Sequence, residues 1–97
     1  MFFIVTAMDK PNSKDTRMAT RSDHLAYIGG TNGAARLGGP FLNDAGEMIG
    51  SMVILEAENL DAAKAFAAGD PYAKAGLFQS VTITPWKPTV NYCNAEL

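Results

Sequence analysis

An α+β domain of order β-α-β-β-α-β is the fold the sequence predicts, and three observations carry it. Segments rich in β-forming residues occupy the two ends and the middle of the chain, and two helical patterns begin at capping residues. Turn chemistry separates each pattern from the next. The chain has 97 residues, the size of one domain, with no repeat, low-complexity stretch or internal linker. Read this way, the strands form a four-stranded antiparallel sheet with two helices on one face, a ferredoxin-like arrangement.

Phe2 to Met8 reads as the first strand, ended by Asp9-Lys10-Pro11-Asn12. Phe3, Val5 and Ala7 share one face, and Phe2, Ile4, Thr6 and Met8 the other; neither is frankly polar. Ser13 or Asn12 can cap a helix from Lys14 to Ile28 that stops at Gly29-Gly30. Met18, Leu25 and Ile28 give it an apolar stripe. At ~100° per residue, Arg17, Arg21 and His24 fall within roughly 60° of one another beside that stripe and can look into one place.

Ala34 to Gly39 is the expected second strand, followed by Pro40-Phe41, and Asn43-Asp44-Ala45-Gly46 can close a hairpin. The third strand, Glu47 to Glu56, is apolar on both faces. Helices cover only one side of such a sheet, so the other side calls for a second copy of the chain. Asn59 can cap a helix from Leu60 to Ala68, with Leu60, Ala63, Phe66 and Ala67 inward and Gly69 at its end. One helical turn over Tyr72 to Ala75 leads to the last strand, Phe78 to Trp86. There Val81 and Ile83 share one face, and Ser80, Thr82 and Thr84 the other. The domain is expected to span residues 1–87. Residues 88–97 form a tail whose Val90, Tyr92 and Leu97 are available to dock on a partner.

Composition narrows the function classes. The net charge is −2, and basic residues do not cluster, which speaks against nucleic acid as a partner. Cys93 is the only cysteine, so neither an internal disulfide nor a structural zinc site is expected. No apolar run approaches the ~20 residues of a membrane span, and the N-terminus lacks a signal-peptide pattern, so a cytoplasmic protein is expected. Gly38-Gly39 before a proline lacks the spacing of a nucleotide-binding loop.

The chemistry-bearing candidates are His24, the only histidine, and Asp70, which Pro71 biases toward extended backbone at the mouth of a turn. Together they would form a dyad in which the imidazole moves protons and the carboxylate holds its tautomer. The plainer alternative makes Asp70 a turn starter and His24 a surface helix residue. Arg17 and Arg21 are candidate anion receptors or, alternatively, a solvated face pairing with Asp9, Asp15 or Asp23. Ser51 and Ser80 could donate hydrogen bonds from the sheet, Tyr72 could close over a ring, and Gly50 could mark a bulge or a close approach by a ligand or neighbouring backbone.

The helix bearing Arg17, Arg21, His24 and Leu25 is followed by Leu37-Gly38-Gly39-Pro40-Phe41, Gly50-Ser51, Asp70-Pro71-Tyr72, Gly76-Leu77-Phe78 and Pro85. Taken together, over Phe2 to Lys87, this set resembles the YCII family. The resemblance implies a dimeric α+β barrel with a site on a His-Asp pair, here His24 and Asp70. A minority of that family are catabolic enzymes: dehydrochlorinases of chlorinated hydroxyhydroquinone and dehalogenases of chloromuconolactone. The tail after Pro85 is longer here than in short members. By that resemblance the expected function is a cofactor-free lyase that eliminates HCl from a small hydroxylated ring, which needs a base and a pocket but no metal or organic cofactor. Competing readings are a dimeric module that only binds a small acidic metabolite, and a cofactor-free oxygenase of the wider barrel superfamily.

Overall fold

The computed structural model describes residues 1–97. Its elements are β1 (Phe2–Asp9), α1 (Lys14–Gly29), β2 (Ala35–Leu42), β3 (Met48–Glu56), α2 (Leu60–Gly69), α3 (Pro71–Lys74) and β4 (Phe78–Trp86). The strands form one antiparallel sheet in the order β2-β3-β1-β4, the ferredoxin-like topology expected from the pattern. No helix is long and apolar enough to cross a membrane.

Register assigns every strand side chain to a face, because residues directly opposite in an antiparallel ladder point the same way. Phe3 pairs with Leu55, Val5 with Val53 and Ile83, and Ala7 with Ser51 and Val81. This is the helix-bearing face. Phe3, Val5, Val53 and Leu55 join Ala63 and Ala67 of α2 in the core. On α2 the small residues are the buried ones, while Phe66 is half-buried and Leu60 is exposed rather than inward. An alanine stripe lets the helix axis approach the sheet closely, leaving Leu60 beyond the sheet's reach.

The opposite face carries Ile4, Thr6, Met8, Met52, Ile54, Phe41 and Leu37, with Gly50 among them. No helix of the chain lies over it. Gly50 belongs to the backbone packing: a Cβ there would lie 2.6 Å from the Ala7 carbonyl oxygen, so the close approach is made by the neighbouring strand.

Element boundaries fall within one residue of expectation except at the end of β2, and two of the shifts have a plain physical reason. β2 runs on to Leu42, with Pro40 opposite Ser51 and Phe41 opposite Gly50. Proline is tolerated because β2 is an edge strand, as is β4 with its Pro85. The short helix begins at Pro71 rather than Tyr72, since proline suits the first helical position. The tail forms only a turn near Asn91–Asn94, and Val90 and Tyr92 stand in solvent.

The orientation of α1 matters most for the site. Of the expected apolar stripe only Ile28 turns inward: Met18 and Leu25 are exposed, and the one buried residue of the helix is Arg17. Arg17, Arg21, His24 and Ile28 recur at i, i+4, i+7 and i+11, one line along the helix. That line looks toward the sheet. α1 leans on α3, and a gap remains between α1 and the β2–β3 half of the sheet.

Candidate active site

The gap is a recess of about 130 Å³, lined on one side by Arg17, Arg21, His24, Leu25 and Ile28. Gly38 and Pro40 of β2, Ser51 and Val53 of β3, and Tyr72 of α3 close the other sides. A cavity of ~150 Å³ holds a benzene ring, and the recess is close to that size.

His24 and Asp70 meet here. The imidazole Nδ1 lies 2.9 Å from Asp70 Oδ1 and 3.0 Å from Oδ2, with both side chains nearly buried. In the neutral imidazole, donation from Nδ1 to the carboxylate places the lone pair on Nε2. Nε2 has no hydrogen-bond partner in the chain, on a residue that lines the recess. Asp70 is held by local geometry: it caps α3, its Oδ1 accepting the Tyr72 backbone N–H at 2.9 Å, with Pro71 at the first helical position. Asp70 is therefore at once the starter of a turn and the hydrogen-bond partner of His24.

Arg17 is only 3% exposed, and most of its donors are already used. Nε and Nη2 donate to the two Asp9 carboxylate oxygens at 2.7 and 2.8 Å, and Nη2 also donates to Ser51 Oγ at 2.9 Å. Burial works against the guanidinium charge, but the Asp9 carboxylate outweighs it and holds the pKa of Arg17 above its ordinary value. The pairing with Asp9 weighed from the sequence is present, though as a buried bidentate bridge instead of a surface contact. Arg21 differs: it is exposed at the rim and makes no ion pair in the chain. Of the two arginines, it is the one free to meet an anion.

Tyr72 is 1% exposed and lies between these groups. Its ring stacks on His24 with centroids 4.1 Å apart and planes 17° apart, and Arg17 Cζ sits 4.6 Å from its centroid. The expected role of closing over a ligand ring does not fit, because His24 and Arg17 already pack on the ring and 1% exposure leaves it little free surface. Burial raises the Tyr72 pKa above 10.0, with Arg17 and Arg21 pulling it back and Asp70 adding to it. At neutral pH its hydroxyl is a proton donor.

Ser51 lies on the helix-side face; because its Oγ accepts from Arg17, its own proton is free for another acceptor in the recess. Ser80 does not reach the site. It pairs with Met8 on the opposite face of the sheet, as strand alternation with Val81 and Ile83 requires. Asp9 was missed as a site residue, and its position at the β1 end, just before the turn into α1, was the available signal. No three His, Cys, Asp or Glu side chains converge as a metal-ligand set.

Comparison with known proteins bears on the family and the fold. A family model described as "YCII-related domain" matches residues 1–87. The chain is 37% identical over 95 residues to an uncharacterised protein of Haemophilus influenzae, covering 90% of this chain and 97% of that one. It is 38% identical over 95 residues, with the same coverage, to the protein YciI of Escherichia coli O6:H1. Among solved structures it is similar to the 5-chloro-2-hydroxyhydroquinone dehydrochlorinase TftG of Burkholderia phenoliruptrix AC1100, in complex with 2,5-dihydroxybenzoquinone. That match has 36% identity, a TM-score of 0.83, and coverage of 90% of this chain and 94% of the other. A provisionally named antibiotic biosynthesis monooxygenase from Bacteriodes thetaiotaomicron, 12% identical with a TM-score of 0.60 over 99% of this chain and 95% of its own, shares the fold alone.

Proposed function

The chain belongs to the YCII-related domain family, and from that premise we propose that it is a cofactor-free lyase removing HCl from a small chlorinated hydroxylated aromatic such as a chlorohydroxyhydroquinone. One observation supports this reading above others. The only histidine has Nδ1 tied to a carboxylate and Nε2 unpartnered beside a ring-sized recess, and a solved relative of 36% identity carries dehydrochlorinase in its name.

Two proton movements suffice, the first of them carried by the His24 imidazole. Nε2 of His24 takes the proton of the hydroxyl next to the chlorine-bearing carbon. The imidazolium then returns it to that carbon, which becomes tetrahedral while the oxygen becomes a ketone. Loss of a second proton to solvent, from the hydroxyl para to that ketone, pushes electrons through the ring and expels chloride. The product is a hydroxyquinone, and the balance is one HCl lost. Asp70 holds the tautomer and stabilises the imidazolium between the steps. Arg21 at the rim stabilises the oxygen anion that develops, and the Ser51 hydroxyl donates to a ring oxygen.

The second copy belongs to the same proposal: Ile4, Thr6, Met8, Phe41 and Met52 on the uncovered sheet face would pair with their counterparts in a homodimer. Residues 1–87 would form the working domain and 88–97 an appended tail. A cytoplasmic location fits the unpaired thiol of Cys93.

The test is chloride release from 5-chloro-2-hydroxyhydroquinone. Wild-type protein should release it, and His24→Ala should lose at least about 10²-fold of the rate, the lower end of general-base contributions. Ligand-induced thermal stabilisation without any chloride would point to a binding module instead, and oxygen uptake to an oxygenase.

A further inference from the structure

The Tyr72 ring is held by two groups of one helix. Arg17 and His24 are seven residues apart on α1, about 10.5 Å along its axis, yet both approach the same ring, at 4.6 and 4.1 Å from its centroid. Both therefore pack against one ring that is 1% exposed. Beyond Arg17 stand Asp9 and Ser51; beyond His24 stands Asp70, whose Oδ1 also fixes the Tyr72 backbone. The result is a continuous column: Asp9, Arg17, Tyr72, His24, Asp70.

The bond from Nδ1 to Asp70 locates one ring nitrogen but leaves the imidazole free to swing about that contact, carrying Nε2 with it. A flat aromatic surface against the ring removes this freedom. We propose that Tyr72, braced by the Asp9-anchored guanidinium of Arg17, is a positioning residue that fixes the plane of the His24 imidazole so that Nε2 stays aimed at the recess. This rests on the acid/base role given to His24 above. It reassigns Arg17 and Tyr72 from contacting substrate to orienting the group that does.

The single histidine makes the test clean, since any imidazole resonance is that of His24. In the wild-type spectrum its ring protons should be displaced upfield by the Tyr72 ring current and show cross-relaxation with the Tyr72 ring. Absence of both overturns the proposal without any variant. Tyr72→Phe keeps the aromatic face and should keep the upfield displacement, whereas Tyr72→Leu keeps bulk without the face and should lose it. If chloride is released, Tyr72→Leu should lower kcat about 10²-fold, the loss expected from ~1 Å of misplacement. Its KM should stay within about threefold of wild type, because the interaction lost is not a substrate contact. Arg17→Met should likewise act on kcat and disturb the His24 resonances it does not touch. A Tyr72→Phe variant as impaired as Tyr72→Leu, or an Arg17→Met variant altered only in KM, would show direct substrate contacts and refute the positioning role. Should no protein in the series release chloride, the lyase reading fails, while the spectra still decide whether the clamp exists.

Discussion

Removing the Asp9 carboxylate should be the most damaging single polar substitution in the molecule. Arg17 is 3% exposed and directs two charge-assisted hydrogen bonds, of 2.7 and 2.8 Å, at Asp9 and one of 2.9 Å at Ser51. In Asp9→Ala the guanidinium stays buried with the neutral Ser51 hydroxyl as its remaining hydrogen-bond acceptor. Breaking a buried pair from one side costs ~3–5 kcal/mol, against a total stability of ~5–15 kcal/mol for a domain of this size. With a urea dependence of ~1–3 kcal/mol per molar, the unfolding midpoint should fall by on the order of 2 M at an unchanged slope. Replacing both partners, as in Asp9→Leu/Arg17→Met, removes the stranded charge and should recover most of the loss, because well-packed apolar substitutes for buried pairs are often neutral. Urea unfolding followed by circular dichroism measures both. A loss below about 1 kcal/mol in Asp9→Ala, the range of exposed pairs, or a double variant as unstable as the single one, would refute the buried-bridge account.

Three further outcomes follow from other contacts. Gly50→Ala places a methyl group 2.6 Å from the Ala7 carbonyl oxygen, and forcing β1 and β3 apart should cost ~1–3 kcal/mol in thermal or urea unfolding; an unchanged melting temperature would contradict the register. Burial raises the pKa of both Tyr27 and Tyr72 above 10.0, with Asp70 adding to each. The folded chain thus holds these protons more tightly than the unfolded one, and stability should fall as pH rises past 10. A phenolate absorbance titration would check this by showing both ionising later in native than in urea-unfolded protein. Arg21→Gln removes an exposed cation with no partner in the chain, so stability should move by less than about 0.5 kcal/mol while KM for a hydroxylated ring rises; an unchanged KM would take Arg21 out of the substrate contacts.

The order of elements was legible because each strand has its β-formers and each long helix its start and stop residues, and period-two alternation in β1 and β4 put Phe3, Val5, Val81 and Ile83 on the helix-bearing face. The same alternation already separated Ser80 from Val81 and Ile83, so its exclusion from the site was readable. The face of α1 was not. Counting apolar side chains favours Met18 and Leu25, but the helix spans a recess and rests on α3, and a line of cationic and polar groups closed by Ile28 is what that surroundings can satisfy. The meeting of His24 with Asp70 was anticipated from residue types, with Pro71 as the local cue. The stack on Tyr72 and the bridge to Asp9 depend on where α3 and the end of β1 come to rest in three dimensions, and no short-range pattern encodes that.

The prolines of the two outermost strands, Pro40 and Pro85, also shape how molecules of this protein can meet. Each leaves a missing donor along its border, so lateral growth of the sheet, chain upon chain into a fibre, is interrupted on both margins. Contact across the broad uncovered surface has no such barrier. Open-ended edge-to-edge stacking is thereby disfavoured.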